Sequence, residues 1–431
     1  MTAFGFPQWI LLCYVFVVGT VVGSFLNVCI YRIPTKDGFW DSLKAIVYPP
    51  SRCPRCFNRI PGRFNIPIFG WLFLRGRCYH CSKGISWRYP AIELGNGLLW
   101  VLVYWMEIPS EFRSTIVDSN VQGLYGPTPV PGSGWLSPDA LLHWRYLYHM
   151  ILVEALVVAS FIDLDLWVIP DGCTLPAMAA GIVGGGAIGR VWLAPVWHQS
   201  PRISSDLQWV LPEWMHAFFM DQAVPDWISG SPHLHGLAVS LAGFVVGGGV
   251  TWALRILGSW ALRREAMGFG DVVLMAMIGS FLGWQASIMV FFIAPMIALV
   301  VVVATWVFRR SRELPFGPYL SLAALYVTLF WKPLWQSFEP IFGSGPLLVS
   351  VSLVIGLLFA GTMRLIRLLF ETLGFATYDD ELPGEEWTSA DQLTHFMGEN
   401  VDPDQGRWPY SRWPGESSGR GWSQYEQWKN G

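Results

Sequence analysis

Four of the seven cysteines fall in two matching spacings, Cys53-Pro54-Arg55-Cys56 and Cys78-Tyr79-His80-Cys81, with 21 residues between the pairs. Two such knuckles turn four thiolates toward one tetrahedral ion, close to the ribbon-type zinc pattern. Arg55, Arg59, Arg75 and Arg77 surround them, and nearby positive charge favours thiolate over thiol. The competing readings are two disulfides or four unliganded thiols. His80 stands between two residues that already complete the set, so it is not counted as a ligand. Cys13, Cys29 and Cys173 lie in or beside apolar segments and read as buried filler.

A second constellation is acidic. Asp163 follows the mostly apolar stretch Ile151–Ile162, and Asp165 and Asp171 come after it. Far along the chain, Gly268-Phe269-Gly270-Asp271 opens another apolar helix. A charge inside a bilayer is costly, so an intramembrane carboxylate is a functional candidate. Glycines permit close backbone approach, and a helix N-terminus favours an acid. Two facing carboxylates do not both ionise easily; one stays protonated while the other acts as base. That is the equipment of an aspartic protease. On physical grounds alone other readings stand: relay acids of a proton-coupled transporter, or, for Asp271, a helix cap. Glu93 is near enough to a membrane face to snorkel, and Glu154 is expected to face a bundle partner.

The elements that must position these groups follow from composition. Of 431 residues, 53% are hydrophobic and only 14% charged, and the mean hydropathy is +0.39. Too few charges exist to coat a soluble globule, for which about 25% is usual. A formal net charge of −3 gives no sign of nucleic-acid binding. No removable signal peptide is read at the N-terminus. Nine membrane segments are expected near 8–30, 90–106, 147–166, 172–193, 235–258, 270–287, 288–308, 315–332 and 346–370, the pair 270–308 allowing a tight turn at Gly283–Ser287. Residues 31–90 hold eleven Lys or Arg against two acids, whereas 107–145 and 195–233 hold two and one basic residues. Arg263, Arg264, Arg309, Arg310 and Arg312 follow the fifth and seventh segments. Basic loops mark the cytoplasm, so the N-terminus is expected outside and 31–90, the acid pair and the tail inside. That placement argues against disulfides. The tail, 372–431, with eleven acids, four bases and five scattered tryptophans, reads as disordered; its tryptophans as a docking motif is the alternative.

At this point the chain resembles the bacterial type IV prepilin leader peptidase/N-methyltransferase family. Five blocks in the family's order carry the resemblance across residues 8–332: Val22-Gly23-Ser24-Phe25-Leu26-Asn27 through Pro34; the cysteine pairs enclosing Asn65-Ile66-Pro67 and followed by Arg88-Tyr89-Pro90 and Glu93; Ile162-Asp163-Leu164-Asp165 through Asp171; Gly268-Phe269-Gly270-Asp271; and Leu314-Pro315-Phe316-Gly317-Pro318. The resemblance implies cleavage of the basic leader of a prepilin or pseudopilin at the cytoplasmic side of the inner membrane. It implies N-methylation of the new terminus with S-adenosylmethionine, the intact cysteine pairs favouring a bifunctional member. It maps the catalytic acids onto Asp163 and Asp271, with Asp165, Asp171, Gly268, Gly270, Pro315 and Gly317 in support, and methyl transfer onto Gly23–Pro34 and 53–93. No glycine-rich nucleotide fingerprint is found there, so no S-adenosylmethionine contact is named.

The expected protein is an all-α, polytopic transmembrane helix bundle of eight to nine spans with a cytoplasmic zinc-ribbon-like loop. Its parts are 1–106, methyltransferase-like and containing the loop 31–90; an inserted non-cytoplasmic loop, 107–145; a peptidase core, 146–332, itself carrying the insertion 195–233; an extra span within 333–371; and the tail. Cys53, Cys56, Cys78 and Cys81 are the expected Zn²⁺ ligands. The expected partners are prepilin-like proteins and the lipid bilayer. Asp165 and Asp171 are expected to attract the basic leader, and Gly268 and Gly270 to let the substrate strand approach. The rivals are the transporter, a GxGD protease of the presenilin or signal-peptide-peptidase type, and a degenerate member that only binds prepilins.

Overall fold

The structure, a computed structural model, describes residues 7–35, 39–48, 50–53, 56, 58–108, 138–210, 212–213, 216, 230–262, 267–308 and 315–372. The tail beyond Thr372, residues 109–137 of the first inserted loop and the arginines expected at 263–264 and 309–312 lie outside them. Among the described residues there are thirteen α-helices and no strand beyond isolated bridges. They are α1 (Gln8–Arg32), α2 (Phe39–Val47), α3 (Phe69–Phe73), α4 (Arg88–Glu107), α5 (Pro138–Leu166), α6 (Asp171–Ile188), α7 (Pro201–Val210), α8 (Pro232–Leu262), α9 (Phe269–Leu282), α10 (Trp284–Phe308), α11 (Gly317–Leu329), α12 (Trp331–Phe342) and α13 (Pro346–Thr372).

Every expected apolar segment is a helix, in order: α1, α4, α5, α6, α8, α9, α10, α11 and α13. The expected tight turn is a single break at Gly283, whose φ of 84° suits glycine alone. Two boundaries move. α5 begins at Pro138, inside the expected loop 107–145, and α6 ends at Ile188.

Five of the helices are long and apolar enough to cross a bilayer: Gln8–Thr35, with its short 3₁₀ extension, Leu141–Leu166, Pro232–Trp260, Trp284–Ala304 and Ser350–Leu369. Their outward faces are apolar. Tyr14, Val17, Val21 and Phe25 form an exposed stripe on α1, while Val15, Gly19, Gly23, Leu26 and Ile30 turn inward against α4. Phe292, Met296, Leu299 and Val303 repeat the pattern on α10. Water does not tolerate apolar stripes of this length; lipid does. Cys29 and Cys173 are buried as expected, but Cys13 is exposed on α1 because its position faces away from α4.

Two helices are short. α9 has 14 residues and α11 has 13; at 1.5 Å per residue each reaches about 20 Å, less than the roughly 30 Å hydrocarbon core. α9 is the centre of the bundle, buried almost throughout from Asp271 to Leu282. It lies against α8 so closely that a side chain on either Gly243 or Gly279 would strike the other's backbone.

The helix ends sort into two groups, as alternating spans require. At one end, Val196 and Pro195 carbonyls accept from Trp284 Nε1 and Gln285 Nε2, each at 2.7 Å. Gln199 bridges Ser344, and His198 meets Glu339 at 3.3 Å. α12 lies here, burying Trp331, Trp335 and Phe342 on one face. At the other end, the start of α6 lies under the end of α1: a Cβ on Gly172 would stand 2.9 Å from Ile33 Cγ2.

Candidate active site

Asp163 sits in the last turn of α5, just before the chain reverses through Trp167 (φ 62°) and Pro170 into α6. Asp271 is the third residue of α9, after Gly268 at the N-cap position. Both side chains are buried, Asp163 at 5% and Asp271 at 9% exposure, and the two carboxylates are close enough to interact electrostatically. Asp271 stands in the first turn of α9, where the helix N-terminus favours an acid. Asp163 Oδ2 accepts the Gly317 N–H at 3.1 Å. Asp163 and Asp271, far apart in the chain, are thus within electrostatic reach of each other, and Gly317 lies against Asp163.

Two of the supporting glycines pack tightly around the acids' helix ends. Gly317 opens α11 after buried Pro315; a Cβ there would stand 2.5 Å from Asp163 Oδ2 and 3.0 Å from Ile169 Cδ1. Gly270 faces the same Ile169, at 3.1 Å from an added Cβ. Both glycines are therefore filled from within the chain by Ile169, a contact the expectation of substrate approach had not included. Gly268 has an extended backbone (φ −64°, ψ 148°) and needs no glycine on conformational grounds.

Asp165 is taken by Arg88. The guanidinium forms a bidentate pair with its carboxylate at 3.0 and 2.6 Å and lies over the Phe161 ring, 5.1 Å from its centre. Its charge is thereby neutralised, so of the two acids expected to draw a basic leader only Asp171, exposed in the first turn of α6, is available. Arg88 begins α4, directly after the second cysteine knuckle, and ties that region to the helix bearing Asp163.

The four cysteines converge. Cys53 Sγ lies 3.9 Å from Cys81 Sγ and Cys56 Sγ 4.0 Å from Cys78 Sγ, and all four sulfurs are within 4.8 Å of one another. A tetrahedron with 2.3 Å metal–sulfur bonds places its sulfurs about 3.8 Å apart, so the set fits one ion. None forms a disulfide. Each knuckle is a short hairpin-like turn: Cys53 N–H donates to Asn58 O at 3.0 Å, and Cys78 N–H to Lys83 O at 2.8 Å. Burial opposes ionisation of Cys78, but bonds from the Cys81 and His80 backbone and the Cys53 and Cys81 side chains outweigh it and bring the thiol down to about 7. His80 turns away, its Nε2 3.3 Å from Arg59 O.

Between the knuckles, α1 and α4 lies a cavity of about 2480 Å³ whose wall includes Ser24, Asn27, Trp71, Arg88, Glu93 and Asp165. Residues from the first two sequence blocks hold it together. Gly23 lets α1 reach α4, Asn27 Nδ2 donates to Tyr89 O at 3.1 Å, and Trp71 Nε1 donates to Ile85 O at 3.0 Å. Glu93 does not snorkel; it is buried and accepts the Ile68 N–H at 2.6 Å. Glu154 faces its bundle as expected, bonded by Asn96 Nδ2 at 3.0 Å and by Trp100 Nε1. Arg88, Ser24 and Asn27 were visible only as members of motif blocks; nothing local in the sequence names their partners.

The sequence was also compared with known proteins. Residues 17–107 match the family described as Bacterial Peptidase A24 N-terminal domain, and residues 214–303 match the Type IV leader peptidase family. The first match encloses the cysteines and Glu93, and the second Asp271; Asp163 lies outside both. The chain is 29% identical over 350 residues to a prepilin leader peptidase/N-methyltransferase of Aeromonas salmonicida, covering 76% of this chain and 93% of the relative. It is 30% identical over 330 residues to a type 4 prepilin-like proteins leader peptide-processing enzyme of Escherichia coli O78:H11, covering 74% and 93%. To a prepilin leader peptidase/N-methyltransferase of Myxococcus xanthus it is 32% identical over 288 residues, 67% of this chain and 61% of the relative. No solved structure matches the chain.

Proposed function

The chain belongs to the type IV prepilin leader peptidase/N-methyltransferase family, and from that premise we propose that it is an intramembrane aspartic endopeptidase that removes the basic leader of a prepilin-like or pseudopilin substrate and then methylates the new N-terminus. The observation that supports the reading is the burial of Asp163 and Asp271 at the ends of two separate helices, within electrostatic reach of each other. A water between them gives a proton to the ionised carboxylate and attacks the scissile carbonyl, while the protonated carboxyl polarises that carbonyl. The proton then passes to the departing amide nitrogen as the C–N bond breaks. The pair titrates as a unit. The Gly317 N–H holds Asp163 Oδ2, which orients the other oxygen toward the shared water.

The substrate's apolar helix lies in the bilayer and its basic leader at the cytoplasmic face of the inner membrane, the side we assign to residues 31–90. The domain division is proposed on the same footing: 1–106 for methyl transfer, 146–332 for cleavage, with the insertions 107–145 and 195–233, the span within 333–371 and the tail 372–431 outside both. Zinc fits Cys53, Cys56, Cys78 and Cys81 by sulfur spacing, and there it would contribute folding energy to a loop with little core of its own. The cavity beside them is large enough for S-adenosylmethionine and offers Trp71 and Trp87 as flat walls for an adenine. Bound there, S-adenosylmethionine supplies an electrophilic methyl group. The chain's own residues shape the cavity, and the Arg88–Asp165 pair on its wall places it beside the end of α5.

The test is incubation of the full-length protein with a prepilin bearing a basic leader and Phe at the first mature position, following leader loss and methyl incorporation separately. Asp163→Asn and Asp271→Asn should lose cleavage and keep methylation of a pre-cleaved substrate. Normal cleavage by either variant would overturn the aspartic reading.

A further inference from the structure

Glu93 stands on the wall of the large cavity, only 8% exposed, with a carboxylate that no lysine, arginine or histidine reaches among the described residues. Its hydrogen bonds come from neutral groups, the Ile68 N–H at 2.6 Å and the Ser24 side chain. Considerable structure is arranged around it. Gly23 brings α1 so near α4 that a Cβ would stand 2.9 Å from Glu93 Cα. Ile68 adopts φ 63°, a costly left-handed conformation for a β-branched residue, and that conformation accompanies the bond from its N–H to the carboxylate. A buried carboxylate with no counter-ion is unfavourable unless a cation arrives to share its site. The cavity is where one can arrive.

We propose that Glu93 receives a primary ammonium in this cavity, the one exposed on the substrate when the leader is cut, and accepts its proton. The inference rests on the methyl-transfer reading and names the residue that readies its substrate. An ammonium has no lone pair to alkylate. Transfer of one N–H proton to Glu93 leaves a neutral amine and a neutral carboxylic acid. The freed lone pair forms the new N–C bond as the sulfonium donor's S–C bond breaks onto sulfur, and Glu93 then releases its proton to water. Ser24 and the Ile68 N–H hold the carboxylate so that its remaining acceptor capacity faces the amine. The amino group of S-adenosylmethionine offers the same ammonium chemistry, so the experiment separates the two sources.

The experiment measures equilibrium binding to the full-length protein in detergent micelles. Its probes are a leaderless peptide starting at Phe with a free amine, its N-acetyl twin, and S-adenosylmethionine. Wild type should bind the free-amine peptide about tenfold tighter than the acetylated one, the scale of one charge-assisted hydrogen bond. Glu93→Gln should bind both peptides equally, with the acetylated peptide held as in wild type, and Glu93→Asp should keep part of the preference. A misfolded variant would lose the acetylated peptide too, and the wild-type comparison and Glu93→Asp then decide. Equal binding of the two peptides by wild type, or an undiminished preference in Glu93→Gln, overturns the proposal. So does a Glu93→Gln variant that loses only S-adenosylmethionine affinity, since the recognised ammonium would then be the donor's. Absence of methyl incorporation by wild type would sink the methyl-transfer reading itself, while the amine preference would still report on Glu93.

Discussion

Gly317 is the residue through which the site's geometry is most sensitively tested. Its N–H holds Asp163 Oδ2 at 3.1 Å, and a single added carbon would stand 2.5 Å from that oxygen. Gly317→Ala should therefore shift the carboxylate by a fraction of an ångström and lower the kcat of cleavage by about a hundredfold, with a smaller change in KM; steady-state kinetics on a prepilin measures both. Gly270→Val should also impair cleavage, because Ile169 already occupies the space. A Gly270→Val enzyme that cleaves normally would show that Ile169 moves aside freely. The type of these residues was legible in the sequence, since acids and glycines stand out in apolar surroundings. Their partners were not. That Gly317 bonds Asp163 across 154 positions, or that Arg88 neutralises Asp165, depends on helix packing that no local spacing encodes.

At the scale of elements, the Arg88–Asp165 pair joins the start of α4 to the end of α5. Both side chains are about one-fifth exposed, so water screens the pair only partly. Arg88→Ala and Asp165→Asn should each cost about 2 kcal/mol of stability and reduce cleavage, and the double variant should be no worse than the poorer single one; thermal unfolding and kinetics in a double-mutant cycle measure this coupling. Removing the metal should act through the same link. Chelator treatment, or Cys53→Ser, should release one equivalent of zinc and loosen the loop 50–85 toward protease, as limited proteolysis with metal analysis would show. Nine helices were legible because long apolar runs leave few alternatives. α12 was not assigned, although Trp331, Trp335, Phe338 and Phe342 recur at helical spacing; its apolar face is narrow and Pro340 interrupts its run. The bridge between Gln199 and Ser344 that seats it is a pairing between distant segments, invisible in either.

Across the whole molecule, the helix ends separate into a set around Pro195, Trp284 and Phe342 and a set around Ile33, Asp171 and Gly317. Alternating charge in the loops predicts that arrangement. A cysteine placed at half-buried Ser344 should react with a membrane-impermeant thiol reagent added from outside intact cells, whereas one at exposed Asp171 should react only after permeabilisation. On the proposed mechanism Asp163 and Asp271 act as one unit. The most direct measurement is the cleavage rate of the prepilin by Asp163→Asn, Asp271→Asn and the double variant. If the pair shares one water and one proton, each single change falls to the same floor as the double. Independent, multiplying losses, or one acid that proves dispensable, would contradict it.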